Sequence, residues 1–158
     1  MAIEIKEGNV LNTECILIAH QVNCKAVMGS GVALDIRKRY PEVFKAYKDM
    51  CNTYHRNPDY LLGRVGIARC KDGKIIANIF GQDDYGRVYN DNRLFTNYDA
   101  LDRGFSFLYN YCVSLKIKKI AMPYMIGCGR GGGDWSLVKA LLKRYFEYRK
   151  VDLELWRL

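Results

Sequence analysis

The chain has 158 residues, 49% of them hydrophobic and 27% charged, with 3 Pro and a formal net charge of +8. That length suits a single domain, and the composition excludes the disordered, collagen-like and low-complexity classes, whose chains cannot offset their ordering entropy by burial. No apolar run reaches the ~20 residues of a membrane span and the N-terminus lacks the basic start and apolar stretch of a signal peptide, so a cytoplasmic location is expected.

Residues 2–6 alternate apolar and polar and predict a short strand; the apolar run 15–20 predicts a second, with His20 at its carboxyl end. A glycine-containing loop leads to a helix over 31–40. Pro41 then sits where a first helical turn tolerates proline and opens a second helix over 42–54. Strands over 63–69 and 74–80 flank Asp72-Gly73, a hairpin turn signal. The polar stretch 82–92 predicts a long loop. Beyond it Tyr98, Leu101, Phe105, Leu108 and Cys112 recur at helical spacing within a helix over 95–115. A strand over 120–122 stops at Pro123, Asp134 is placed to cap a helix over 135–148, and 151–156 alternates as a last strand. This order implies one α/β domain over 1–158, with a mixed sheet because a tight hairpin joins two of its strands.

Six cysteines are scattered without a CxxC pair, and there are two histidines, His20 and His55. Metal-ligand sets need close pairs that a turn or helix face can bring to one ion, so neither a metal site nor disulfides are expected. The positive charge favours an anionic partner, but clusters such as Arg37-Lys38-Arg39 and Lys116-Ile117-Lys118-Lys119 also read as solvated surface, and none has the length or aromatic interleaving of a nucleic-acid arm.

Two glycine-rich loops follow apolar strands and precede helices: residues 23–33, containing Met28-Gly29-Ser30-Gly31, and residues 126–134. Such junctions present unpaired backbone N–H groups and the positive end of a helix dipole, and glycine lets that backbone approach a phosphate. Two of them can grip a diphosphate from both sides. No Gly-Lys-Ser/Thr ends either loop, which excludes the Walker A class. Gly127, Gly129 and Gly131 superficially match a dinucleotide fingerprint, but that belongs in a first βαβ unit with most of a cofactor domain after it.

Five blocks in order resemble the macrodomain family. They are Gly8-Asn9-Val10-Leu11; Ala19-His20-Gln21-Val22-Asn23; Met28-Gly29-Ser30-Gly31-Val32-Ala33; Asn78-Ile79-Phe80-Gly81-Gln82; and Met122-Pro123 through Ile126-Gly127-Cys128-Gly129 to Gly132-Gly133-Asp134-Trp135. The similarity is greatest to the branch that holds yeast-type ADP-ribose 1″-phosphate phosphatases and terminal ADP-ribose-protein glycohydrolases. The resemblance implies a three-layer α/β/α sandwich around a mixed, mostly parallel sheet, with ADP-ribose or its 1″-phosphate as ligand, no cofactor, and ADP-ribosylated macromolecules as further partners. It implies that Asn9 and Val10 meet adenine, Asn9 standing where the family has Asp. Gly29, Ser30, Gly31 and Val32 would form the first phosphate loop. Ile126, Gly127, Cys128, Gly129 and Arg130 would form the second, Asn23 would meet the distal ribose, and His20 would be catalytic, as a base on water or an acid on the leaving oxygen. The glycohydrolase branch uses a Lys at the exit of the fourth strand and an Asp in the second glycine loop; here Gly81-Gln82 and Arg130 to Gly133 stand in those places. The resemblance therefore implies phosphatase activity first, with de-ADP-ribosylation and non-catalytic ADP-ribose reading as alternatives.

Overall fold

The computed structural model describes residues 3–85 and 93–158. Six strands, β1 (Ile3–Glu7), β2 (Leu17–Val22), β3 (Val65–Arg69), β4 (Ile75–Phe80), β5 (Lys119–Pro123) and β6 (Asp152–Arg157), form one sheet in the order β1-β6-β5-β2-β4-β3. Every neighbouring pair is parallel except β3–β4, the hairpin expected at Asp72-Gly73. Helices α1 (Gly31–Arg39), α2 (Pro41–Thr53), α3 (Pro58–Leu61), α4 (Tyr98–Leu115) and α5 (Trp135–Phe146) complete it. The mixed, mostly parallel sandwich expected from the sequence is the observed fold. Among the described residues no helix is long and apolar enough to cross a membrane.

The sheet separates two cores. On one face Ile36 of α1 and Val43, Tyr47 and Cys51 of α2 pack on Ile18, Val22, Ile76 and Phe80. On the other, Leu101, Phe105 and Leu108 of α4 and Val138, Leu142 and Phe146 of α5 pack on Leu17, Ala19, Ile79 and Met122. All six residues of β4 are buried, as a strand covered on both faces requires.

Several boundaries differ from the sequence expectation. β2 runs over Leu17–Val22 rather than 15–20, because its ladder with β4 pairs Leu17 with Ile75 through Val22 with Phe80. His20 is thus two residues inside the strand. Pairing fixes that register, whereas a continuous apolar run carries no period from which to read it. A 3-10 turn over Val10–Asn12 and the short α3 were not expected, and α5 stops at Phe146, two residues early. Of the loop expected over 82–92, residues 86–92 lie outside the described residues.

Candidate active site

The carboxyl ends of β5, β2 and β4, which are neighbours in the sheet, release the segments that enclose a cavity of about 610 Å³. This is where open α/β sheets bind ligands. Asn23 and the loop through Gly29, Ser30, Gly31 and Val32 form one wall. The facing wall is Pro123 to Gly127, then Gly129, Arg130 and Gly131, with His20, Gln21 and Gln82 between. Among the described residues of the lining, Arg130 is the charged side chain.

Both loops offer amide donors. Ser30 precedes α1 without a side-chain capping bond, so the amides of Gly31, Val32 and Ala33 in the first turn lack an intrahelical acceptor. The amides of Gly29 and Gly129 have no acceptor among the described residues either. A Cβ built on Gly31 or Gly129 meets nothing within 4 Å, so both residues face open space. Gly131 and Gly133 are glycines for another reason. A Cβ on Gly131 would strike the Thr96 hydroxyl and come within 2.7 Å of the Gly127 carbonyl oxygen, and one on Gly133 would meet that same oxygen at 2.7 Å. The second loop thus has one glycine open to the cavity and others set by close packing.

That packing is held by a side-chain clamp. Gln21 Nε2 donates to Gln82 Oε1 at 2.6 Å and to Thr96 Oγ1 at 2.9 Å, and Thr96 Oγ1 donates to the Gly127 carbonyl at 2.6 Å. Gln82 Nε2 donates to the Asp84 carbonyl at 2.6 Å. Gln82, at the exit of β4, therefore helps to hold the loops together, with one amide proton left over. Gln21 and Gln82 were visible within motif blocks; Thr96 carried no sequence signal, because its partners come from three separate segments.

Asn23 is 7% exposed and organises the first loop. Its Oδ1 accepts from Lys25 N at 2.9 Å and from Tyr47 Oη at 2.7 Å, and its Nδ2 donates to the Val27 carbonyl at 2.9 Å, leaving one amide proton over. Tyr47, fully buried on α2, also accepts from Val27 N at 3.1 Å.

His20 is 2% exposed, and its Nε2 lies 2.6 Å from Asn78 Oδ1. Its Nδ1 is buried with no hydrogen-bond partner among the described residues. Burial is the main influence on the ring and pushes its pKa down to about 4 despite the Asn78 bond, so the imidazole is neutral at physiological pH. An amide oxygen only accepts, so Nε2 carries the proton and Nδ1 the lone pair. Of the two roles left open in sequence, acid on a leaving oxygen is closed to this ring near neutrality.

Three expected site residues stand apart from the cavity. Asn9 spends its side-chain oxygen on Leu11 N at 2.9 Å, capping the 3-10 turn, and Val10 is 3% exposed within the α1/α2-side core. Neither lines the cavity, because that turn packs against β5 and β6. Cys128 also faces away: its amide closes a turn onto the Met125 carbonyl at 2.9 Å, and burial pushes its thiol up to about 11. Asp134 caps α5, accepting from Ser136 N at 2.9 Å, and the Ser136 hydroxyl holds its carboxyl below the usual range. Trp156 lies partly buried against the α1/α2-side core and donates through Nε1 to the buried Glu154 carboxylate at 2.9 Å.

An amide-lined cavity between two glycine loops, at the carboxyl edge of an α/β/α sandwich, is an arrangement that can receive an anion. The Macro domain family model matches residues 19–142, and the chain belongs to the macrodomain family. It is 29% identical over 143 residues to the DNA ADP-ribosyl glycohydrolase of Mycobacterium bovis, covering 89% of this chain and 37% of that protein. It is 36% identical over 81 residues to the ADP-ribose 1″-phosphate phosphatase of Debaryomyces hansenii, covering 45% of each. The chain therefore spans less than half the length of either relative. The macrodomain of Mycobacterium tuberculosis DarG superposes with a TM-score of 0.80 at 28% identity, over 98% of this chain and 96% of that one.

Proposed function

We propose that the cavity binds ADP-ribose, its diphosphate between the two glycine loops, and that the chain hydrolyses ADP-ribose 1″-phosphate to ADP-ribose and phosphate. The observation that carries this reading is the convergence of unpaired amides from both loops on one cavity, with Gly31 and Gly129 open towards it. The chemistry asks little more. Phosphoryl transfer is catalysed mainly by positioning and by fixed donors on the charge that develops on the equatorial oxygens. Water attacks phosphorus, the bond from phosphorus to the ribosyl oxygen breaks, His20 Nδ1 takes the proton of the attacking water, and solvent protonates the departing ribosyl oxygen. The spare amide proton of Asn23 donates to the distal ribose and holds it still.

Removal of ADP-ribose from DNA is the second reading, favoured by the relatives named DNA ADP-ribosyl glycohydrolase that match along most of the chain. Against it, no Lys, Asp or Glu side chain stands among the described residues that line the cavity. Phosphate release from ADP-ribose 1″-phosphate, run beside ADP-ribose release from an ADP-ribosylated DNA strand, separates the two. Turnover of the first substrate and not the second is expected; the reverse would replace this reading, and binding without either activity would make the chain a reader.

A further inference from the structure

The geometry points to Asn78 as a positioning residue: its side-chain oxygen holds His20 in the Nε2–H tautomer, so that Nδ1 meets a donor of the ligand or its attacking water and never a phosphate oxygen. This deepens the hydrolase reading and rests on it for its catalytic consequence.

His20 and Asn78 are register partners on adjacent parallel strands. By the two-residue period of a strand, His20 shares its face with Ile18 and Val22, and Asn78 shares its own with Ile76 and Phe80; both point into the α1/α2 layer. The ring and the amide are each 2% exposed, so their bond is shielded from competing water. The orphaned Nδ1 is the complementary observation. A buried acceptor left without a partner costs about 1–3 kcal/mol, and native structures rarely leave one so. A water or a hydroxyl entering the cavity would supply that partner.

The choice of an amide over a carboxylate matters here. Aspartate at this position would draw a second proton onto the ring, and the resulting imidazolium would attract phosphate oxygens rather than accept from water. No charge on the surrounding elements does this instead. Burial and the Asn78 bond are the influences on His20. The titratable groups buried in the core on the same side, Cys15, Cys24, Tyr40, Tyr47, Cys51 and Cys70, are all pushed up by burial and stay neutral. Lys25 and Asp83, on the loops beyond β2 and β4, pair with each other at 3.1 Å.

Imidazole nitrogen correlation spectra of the full chain test this, since the chain has two histidines and a His55→Asn variant assigns them. The wild-type His20 should show the Nε2–H tautomer and no titration between about pH 5.5 and pH 8, while its Nδ1 resonance moves on saturation with ADP-ribose. Asn78→Asp should bring His20 into that range and raise the acid limb of the phosphate-release profile by about one pH unit or more. An Nδ1–H tautomer, a wild-type His20 that titrates between about pH 5.5 and pH 8, or an Nδ1 resonance indifferent to ADP-ribose overturns the proposal. So does an Asn78→Asp protein with an unchanged profile. The wild-type spectrum decides the tautomer even if the variant fails to fold. Absence of phosphate release by a wild type with the expected tautomer would overturn the phosphatase reading and leave the tautomer lock standing.

Discussion

Replacing Gly129 by Glu puts a carboxylate into the space where the second loop is to receive a phosphate. Two features make the change clean: Gly129 is outside the left-handed backbone region, and a Cβ there meets nothing within 4 Å. Stability should therefore change by no more than about 0.5 kcal/mol, as for an exposed substitution without a special contact. Two unit charges about 4 Å apart repel by about 1 kcal/mol in bulk water and about 4 kcal/mol near a protein surface. A diphosphate beside the new carboxylate should thus bind roughly 5-fold to 1,000-fold more weakly, and less so as salt rises. Titration calorimetry with ADP-ribose at two salt concentrations, alongside a thermal melt, reads both effects. Gly129→Gln, which fills the same space without the charge, should lose less affinity than Gly129→Glu. A folded Gly129→Glu protein with wild-type affinity would show that the second loop is only a turn.

Gly131→Ala should behave in the opposite way, failing in the melt before it fails in binding, because its Cβ has to displace the Thr96 hydroxyl and the Gly127 carbonyl; an unchanged melting temperature would refute the packing argument. Tyr47→Phe removes the hydroxyl shared by Asn23 and Val27, and should cost about 1–3 kcal/mol in a denaturant melt and weaken ADP-ribose binding through the loosened loop. Unaltered affinity would free the first loop from α2. His20→Ala should slow phosphate release by about 10²–10⁴ while affinity for ADP-ribose changes little, and full turnover in that variant would leave the amides to do the chemistry unaided. The same ring sets a pH dependence. Its folded pKa of about 4 lies below the ordinary 6.5, so the unfolded chain binds the extra proton between those values. The stability held above the ordinary pKa, about 3 kcal/mol, should be lost as pH falls from about 6.5 to about 4. Urea midpoints across that window should flatten in His20→Gln, and an equal slope in both proteins would contradict the burial.

The sheet class, the Asp72-Gly73 hairpin and the helices α2 and α4 were legible because apolar spacing and turn residues are local signals. The two glycine loops were legible as well, since a strand, glycines and a helix in succession form a pattern within one segment. What sequence did not carry was pairing between segments. β2 is buried on both faces and its apolar run has no alternation, so its register, and with it the depth of His20, comes from the ladder with β4. The Gln21–Gln82–Thr96 clamp and the Tyr47–Asn23 bond join residues many positions apart. Asn9 shows the converse: a residue placed at the ligand by resemblance spends its oxygen on its own turn, two residues on.

Calorimetric titration of the wild-type chain with ADP-ribose, with AMP as the comparison, tests the central claim most directly. The account predicts micromolar binding of ADP-ribose and weaker binding of AMP, which lacks the second phosphate and the distal ribose that the two loops and Asn23 are placed to hold. No heat from ADP-ribose at millimolar concentration, or equal affinity for AMP, would contradict it.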